Sequence, residues 1–205
     1  MLYTYSSRTG KYTLIGTYLE GNENNPYING LDYRNSRIHV TWTYRDFVPF
    51  EGWDKITDVQ HKRQAGPNGI ENNHDLWYSY SDDLGHSWKN DLGHTIAHLD
   101  KGESVRCDND GIKVFSIPKG CGAHNQEDQV LDYDGGVHVL NRDAMSGYLL
   151  WKHYYRSPLG TSTPNCKFSC LTSCVSVRCL DPESSARRAC TSWREARSHG
   201  GNKAE

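Results

Sequence analysis

The chain of 205 residues contains no run of 18 apolar residues, so no segment is long enough to cross a membrane as a helix. Residues 1–5 are already strand-like and lack the basic start and apolar core of a signal peptide, so none is expected within this chain. A large charge of one sign is also missing, since the net charge is −2. That balance excludes a general electrostatic attraction to nucleic acid.

Closely spaced Cys-x-x-Cys pairs are absent too, although the chain has seven cysteines. Five of these lie near the end of the chain, at Cys166, Cys170, Cys174, Cys179 and Cys190. Zinc ribbons usually carry such pairs, so the spacing predicts no metal site, and no cofactor is expected. A disulfide cluster would form only in an oxidising compartment. The alternative that we favour is a terminal segment without an evolved fold.

The composition changes near residue 158. From residue 157 onward there are seven Lys/Arg against four Asp/Glu, and the strand-like alternation disappears. Polar sequence without periodicity cannot offset the entropy of ordering it. We therefore expect a folded domain over residues 1–158 and a disordered tail, rich in Cys, Ser and Arg, over residues 159–205.

Aromatic residues are plentiful in the chain. The 13 Tyr and 6 Trp suit short, half-buried strands. Residues 81–88 follow one strand-like run and have the sequence Ser-Asp-Asp-Leu-Gly-His-Ser-Trp. In this motif, which begins at Ser81, Asp83 can accept hydrogen bonds from the backbone amides of the turn. Gly85 can adopt a positive φ, and Trp88 can pack beneath the turn. The motif predicts a tight β-hairpin.

Two internal repeats predict the architecture. Glycines that follow similar strand-like runs are 75 residues apart, at Gly10, Gly85 and Gly160. Residues 30–40 also resemble residues 130–139, and both segments lead to an Arg-Asp pair. Each unit thus consists of a strand, a turn, a strand ending near Arg, an excursion, a strand and a hairpin. Four antiparallel strands per unit are typical of a propeller blade.

The predicted fold class is therefore all-β, a partial β-propeller of about two to three blades. Propellers have about 4–8 blades, so these units cannot close a ring by themselves. We expect the chain to be an interior fragment of a longer protein.

Residues 81–88 resemble the Asp-box, a structural hairpin lock of many carbohydrate-active propellers. Residues 30–45, 64–73, 124–127, 135–143 and 151–158 resemble the BNR-repeat-containing family of fungi and bacteria, which is related to the seven-bladed ulvan lyases. The resemblance covers about residues 1–158. It implies an acidic polysaccharide or another glycan as partner, and full-length relatives that are secreted.

The lyase relationship implies cleavage of a uronate-containing polysaccharide by β-elimination, with the isolated chain inactive. In that chemistry a cation neutralises the uronate carboxylate, and a His or Tyr removes the C5 proton. Arginine suits the carboxylate because its planar fork binds both oxygens.

The candidate residues follow from this chemistry and from topology. His124 is the first candidate for the acid or base, beside Asn125 and Gln126 as substrate-binding residues at the entry to an inner strand. Arg142 and Arg45 end equivalent strands and can bind carboxylate or pair with the neighbouring Asp. Two further candidate bases are His61, in the long polar excursion, and Tyr44. We expect His124, Arg142, Asn125 and Gln126 to converge, with Arg45 and the 47–74 excursion on the same side.

Two other functions remain open. The same surface would suit a non-catalytic sugar-binding or scaffold propeller. A sialidase would need three arginines around one carboxylate and a Tyr–Glu pair, and no spacing in this sequence selects that set.

Overall fold

The computed structural model describes residues 1–48, 69–124 and 127–158, together with the backbone of one later strand. The strands are β1 (Leu2–Ser6), β2 (Lys11–Gly16), β3 (Leu19–Glu20), β4 (Asn24–Arg34), β5 (Arg37–Asp46), β6 (Asn73–Ser81), β7 (Ser87–Lys89), β8 (Thr95–His98), β9 (Val105–Arg106), β10 (Lys113–Phe115), β11 (Asp128–Leu131), β12 (Val137–Asp143), β13 (Leu150–Arg156) and β14 (Ser169–Ser176). Two 3₁₀ turns, at Ile70–Asn72 and Leu99–Lys101, complete the regular structure of the described residues.

The strands form an all-β partial propeller. Strands β4 to β8 follow one another in a single antiparallel sheet, and β10 also pairs with β6. We call this sheet the second unit, because the hairpin β1–β2 precedes it in the chain. Strands β11 to β14 form a four-stranded antiparallel sheet, the third unit. The hairpin β1–β2 stands before them, and the short pair β3–β9 is parallel. None of the described residues belongs to a helix that is long and apolar enough to span a membrane.

The sequence repeat is also a repeat of strand register. In the second unit, His39 faces Tyr80 and Thr41 faces Tyr78 across β5 and β6. In the third unit, the residues at the corresponding positions also face each other, His138 with Tyr155 and Leu140 with His153. Alternating side chains then point to the same face of each blade. The two units therefore present equivalent faces.

The tail contains one described strand. β14 lies within residues 159–205, which we expected to form a disordered tail, and it pairs with β13. Pairing satisfies the backbone groups that an open β13 edge would otherwise present. Residues 159–168 and 177–205 lie outside the described residues. Among the cysteines, Cys121 is disulfide-bonded and Cys107 has a free thiol.

Two apolar clusters hold the units together. One lies between the second and third units and includes Leu76, Tyr78, Tyr80, Val137, Val139 and Tyr154. The other covers the opposite face of the second unit and includes Val40, Trp42, Tyr44, Trp77 and Trp88. Leu2 and Ile15 of the first hairpin pack against this second cluster. Burial of these aliphatic and aromatic side chains favours the folded state.

A buried glutamine joins the two main units. Gln129 on β11 accepts a hydrogen bond from Thr41 Oγ1 (2.7 Å) and donates to Asp32 (3.0 Å) and to the carbonyl of His39 (3.2 Å). The strands approach so closely that a Cβ at Gly30 would lie 2.6 Å from Cβ of Gln129. Glycine is therefore required where the first strands of the two units meet.

An arginine makes a second polar link between the units. Arg156 at the end of β13 is fully buried, and its guanidinium lies 4.9 Å from the ring centre of Tyr78. It pairs with Asp91, which follows β7 in the second unit. A buried charge is tolerated only when it is paired, so Asp91 is the residue that allows Arg156 to lie there.

Candidate functional site

Many of the charged and polar side chains at the strand ends lie on one of two opposite edges of the blades. We call the edge where β5 and β12 end the upper rim; it carries Asn24, Arg45, Asn73, Glu127 and Arg142. The opposite edge, the lower rim, carries Arg34, Arg37, Ser81, Asp132 and Arg156. Each rim is continuous from the second unit to the third, because Asn73 Nδ2 donates to the carbonyl of Ala123 above (3.1 Å) and Asn35 Nδ2 to that of Asp134 below (3.2 Å).

His124, Glu127 and Arg142 come together on the upper rim. Nε of Arg142 donates to Glu127 Oε1 at 3.2 Å, and Nδ1 of His124 lies 3.9 Å from the same oxygen. The Arg142 guanidinium also stacks over Trp151, 5.0 Å from the ring centre. The His124 side chain is 33% exposed, so a ligand can reach it. The predicted convergence of His124 and Arg142 is present.

The surroundings of His124 favour its neutral form. Partial burial, followed by the positive charge of Arg142 and then that of Arg45, lowers the pKa of His124, while the Glu127 carboxylate opposes this shift. A neutral imidazole can accept a proton at neutral pH. The effect of Arg45 also shows that this arginine of the second unit is near the His124 ring.

Arg45 is held in place by an asparagine that the sequence did not single out. Its Nε donates to Asn73 Oδ1 at 2.9 Å, and its guanidinium lies 4.6 Å from the ring centre of Tyr27. Asn73 is buried and also bonds the carbonyl of Ala123, the residue before His124. Asn73 therefore connects the arginine of one unit to the candidate base of the next.

A second charged cluster lies beside this site on the upper rim. His74 is placed between two carboxylates, with Nε2 3.0 Å from Asp46 and Nδ1 3.0 Å from Asp75. Burial lowers the pKa of His74, but the bonds and charges of the two carboxylates outweigh it and raise that pKa overall. Lys119 pairs with Asp46 as well. Asp46 is thus engaged by His74 and Lys119. In the third unit, Asp143 is engaged by Lys152 and Tyr154. Arg142, the residue before Asp143, pairs with Glu127.

The structure corrects the prediction for Tyr44. Its side chain is fully buried in the apolar cluster against Trp42 and Trp77, and its hydroxyl donates to the carbonyl of Glu20 at 3.4 Å. Burial raises the pKa of Tyr44 far above its usual value, the opposite of what a base requires. β5 is a central strand whose residues 39–44 are buried on both faces, so Tyr44 packs inside the blade whereas Arg45 lies near the strand end. Tyr44 is a packing residue.

Three other predicted site residues cannot be placed. Asn125 and Gln126 lie outside the described residues, as do His61 and most of the excursion between β5 and β6. His124 on one side and Glu127 on the other are described. The predicted roles of Asn125, Gln126 and His61 remain predictions.

The hairpin at 81–88 has the contacts that its sequence predicts. Asp83 accepts bonds from the backbone N–H and the hydroxyl of Ser87 (2.8 and 2.6 Å) and from Ser81 Oγ (2.8 Å). Gly85 has φ +95°, and the fully buried Trp88 donates to its carbonyl at 3.1 Å. The turn is at the end of β6, on the lower rim. It is therefore on the opposite edge from His124 and Arg142.

His39 and His138 have equivalent positions and bond to side chains within their own blades. Nδ1 of His39 bonds the Tyr78 hydroxyl at 2.9 Å, and burial lowers the pKa of His39 to about 3. Nδ1 of His138 bonds Nε2 of His153 at 2.8 Å. Within the described ranges, no three His, Cys, Asp or Glu side chains form a group that could hold a metal ion.

Comparison with known proteins adds one finding to this geometry. The model of a family described as BNR repeat-containing matches residues 1–163, which includes both main units up to the end of β13. No curated protein sequence matches the chain.

Proposed function

The chain belongs to the BNR repeat-containing family, and from this membership and the upper rim we propose that it derives from a polysaccharide lyase acting on acidic, uronate-containing polysaccharide. The observation that supports the proposal best is the surroundings of His124. His124 has a pKa lowered mainly by partial burial and lies beside Arg142 and Glu127, and the positive charges of Arg142 and Arg45 contribute to the lowering of this pKa. Two arginines for a carboxylate and one neutral histidine are the groups that β-elimination requires.

The proposed reaction uses these groups as follows. Arg142, with Arg45, binds the uronate carboxylate and stabilises the negative charge that develops when C5 loses its proton. His124 takes the C5 proton, and the electrons of the C5–H bond remain on C5 as a carbanion stabilised by the carboxylate. These electrons form the C4=C5 double bond as the C4–O bond breaks, and the imidazolium returns the proton to the leaving oxygen. The products are a new chain end and an unsaturated uronate.

Non-catalytic binding of an acidic glycan is the second candidate, and one observation favours it. The Glu127 carboxylate already engages Arg142, so a ligand must displace it before the arginine is available. A sialidase is not supported, because the described residues bring two arginines to His124 rather than three and Tyr44 is buried.

The test combines binding with product detection. The full chain is titrated with polyuronates and with neutral polysaccharides of similar length, and absorbance near 235 nm reports unsaturated uronate. We expect selective binding of the polyuronates without turnover, because the two described units do not enclose a channel as a complete ring would. Equal binding of neutral polymers would contradict the proposal of an acidic substrate.

Substitution of His124 separates the two candidates. A closed-ring relative with His124, Glu127 and Arg142 at matching positions should release unsaturated uronate, and replacement of its histidine by Ala should reduce turnover about 100-fold or more, the scale of an acid–base contribution. In this chain, His94→Ala at an exposed position is the control substitution and should leave the binding of polyuronates unchanged. Binding by the relative without any 235 nm product would favour the non-catalytic candidate.

A further inference from the structure

The third unit has an exposed face whose counterpart in the second unit is covered. We call the residues Val130, His138, Leu140 and His153 the open face. They are cross-strand neighbours on β11, β12 and β13 and therefore lie on one side of the sheet. Val130 is 58% and Leu140 42% exposed. Together with Asp128, this face lines a groove of about 310 Å³.

The second unit shows what such a face packs against. There His39, Thr41, Tyr78 and Tyr80 have the same register and are all buried. The sheet of the third unit covers them, with Gln129 bonded to Thr41 and to the carbonyl of His39, and with Val137, Val139 and Tyr154 packed in the same cluster as Tyr78 and Tyr80. A face of this kind therefore accepts another β-sheet surface.

The first hairpin carries a surface of matching character. Tyr3, Tyr5, Tyr12 and Leu14 are cross-strand neighbours on one side of β1–β2, and we call them the tyrosine face. All four are at least half exposed, and the rings of Tyr5 and Tyr12 are 4.8 Å apart. Contiguous exposed apolar residues of this kind mark interaction sites more often than chance.

The two faces also have complementary charge. Residues 1–19 contain two basic residues, Arg8 and Lys11, and no acidic residue. Three acidic residues lie beside the open face: Asp128 lines its groove, Asp132 is 3.1 Å from His138 Nε2, and partial burial, followed by the charges of Asp132 and Asp134, raises the pKa of the adjacent Tyr155. Opposite charges at the edges of two apolar patches favour their association and fix its orientation.

We propose that two copies of this chain associate head to tail, with the tyrosine face of one copy packed on the open face of the next. The contact joins two different patches, so it is heterologous and can extend to further copies, as a ring or as an open chain. Neither face belongs to the upper-rim site, so the association is independent of glycan binding.

Sedimentation velocity over a range of protein concentrations tests the proposal. The unmodified chain should associate, and Tyr5→Asp and Leu140→Asp should each weaken association at least tenfold. Leu92→Asp, at an exposed position in the turn after β7, is the matched control and should associate normally. Circular dichroism confirms that each variant is folded, and Val130→Asp replaces Leu140→Asp if the latter does not fold.

Mixing the two variants gives the sharper result. Tyr5→Asp retains an intact open face and Leu140→Asp an intact tyrosine face, so an equimolar mixture should form dimers and nothing larger. Dimers of either variant alone would show that one face binds itself, which would overturn the proposal. A monomeric unmodified chain at all concentrations would overturn it as well.

Discussion

The carboxylate of Glu127 accepts a hydrogen bond from Arg142 at 3.2 Å on the upper rim. An acidic side chain of the protein thus occupies the guanidinium that an acidic ligand would bind. Ligand and Glu127 must compete, because one planar guanidinium edge binds one carboxylate at a time.

Removal of the Glu127 charge should strengthen binding of acidic glycan. Glu127→Gln keeps the size of the side chain but weakens its hold on Arg142, so affinity for a uronate oligosaccharide should rise about threefold to tenfold, roughly 1 kcal/mol. Isothermal titration measures the change, with a neutral oligosaccharide as the control ligand. Weaker binding of the acidic ligand would show that Glu127 orients Arg142 productively instead of competing for it.

Loss of Asp83 should destabilise the fold without affecting the upper rim. Asp83→Ala removes three bonds within the 81–88 hairpin, one of them to a backbone N–H, so unfolding should cost about 1–2 kcal/mol less. Asp82→Ala, in the same turn, breaks only partly exposed pairs with Arg37 and Lys89 and should cost about 0–1 kcal/mol. Urea denaturation measures both. Loss of glycan binding at unchanged stability would contradict a structural role for Asp83.

The stability contributed by Asp83 should depend on pH. Burial alone would raise its pKa, but the bonds from Ser87 and Ser81 outweigh burial and lower the pKa of Asp83 below its usual value. A group with a depressed folded pKa stabilises the protein above its unfolded pKa, about 3.9, and this contribution disappears as pH falls through the folded value. The difference between the unmodified chain and Asp83→Ala should therefore shrink in acid. A difference that grows below pH 4 would contradict this linkage.

The link through Gln129 should matter more than any exposed residue. Gln129→Ala leaves Thr41 and Asp32 without their partner between the two units, and the buried hydroxyl makes the loss costly, about 1–3 kcal/mol. Lys101→Ala, at an exposed position, should change stability by no more than about 0.5 kcal/mol. Equal effects of the two substitutions in denaturant unfolding would show that the contact between the units contributes little.

The disulfide of Cys121 predicts a thiol count. One disulfide consumes two of the seven cysteines, so denatured, unreduced protein from an oxidising compartment should show no more than five thiols, and seven after reduction. Titration with a thiol reagent measures the number. Seven thiols before reduction would contradict the disulfide.

The sequence predicted the parts of this structure that depend on local pattern. Alternation and turn residues at Asp83 and Gly85 specify the hairpin, and the repeat of His39 at His138 specifies the register of both units. The same topology placed Arg45 and Arg142 on one edge, because equivalent strands end there. These inferences need only the chain order and the periodicity of strands.

Other features depend on contacts between distant segments. Gln129 and Arg156 join units through residues that are far away in sequence, and Asn73 connects Arg45 to Ala123 across a similar gap. Tyr44 is buried because both faces of β5 are covered by other elements, which the alternation along the strand does not show. A signal for Asn73 did exist. It is an uncharged polar residue at the start of β6, and its cross-strand partner on β5 is Arg45.

Recognition of carboxylate by the upper rim is the central claim, and one comparison tests it most directly. A uronate oligosaccharide and its carboxyl-reduced form are titrated into the unmodified chain, Arg142→Gln and Arg37→Gln, the last being a control on the lower rim. The account predicts that the acidic ligand binds at least tenfold tighter than its reduced form, and that Arg142→Gln alone abolishes this preference. Equal affinity for the two ligands, or an unchanged preference in Arg142→Gln, would contradict it.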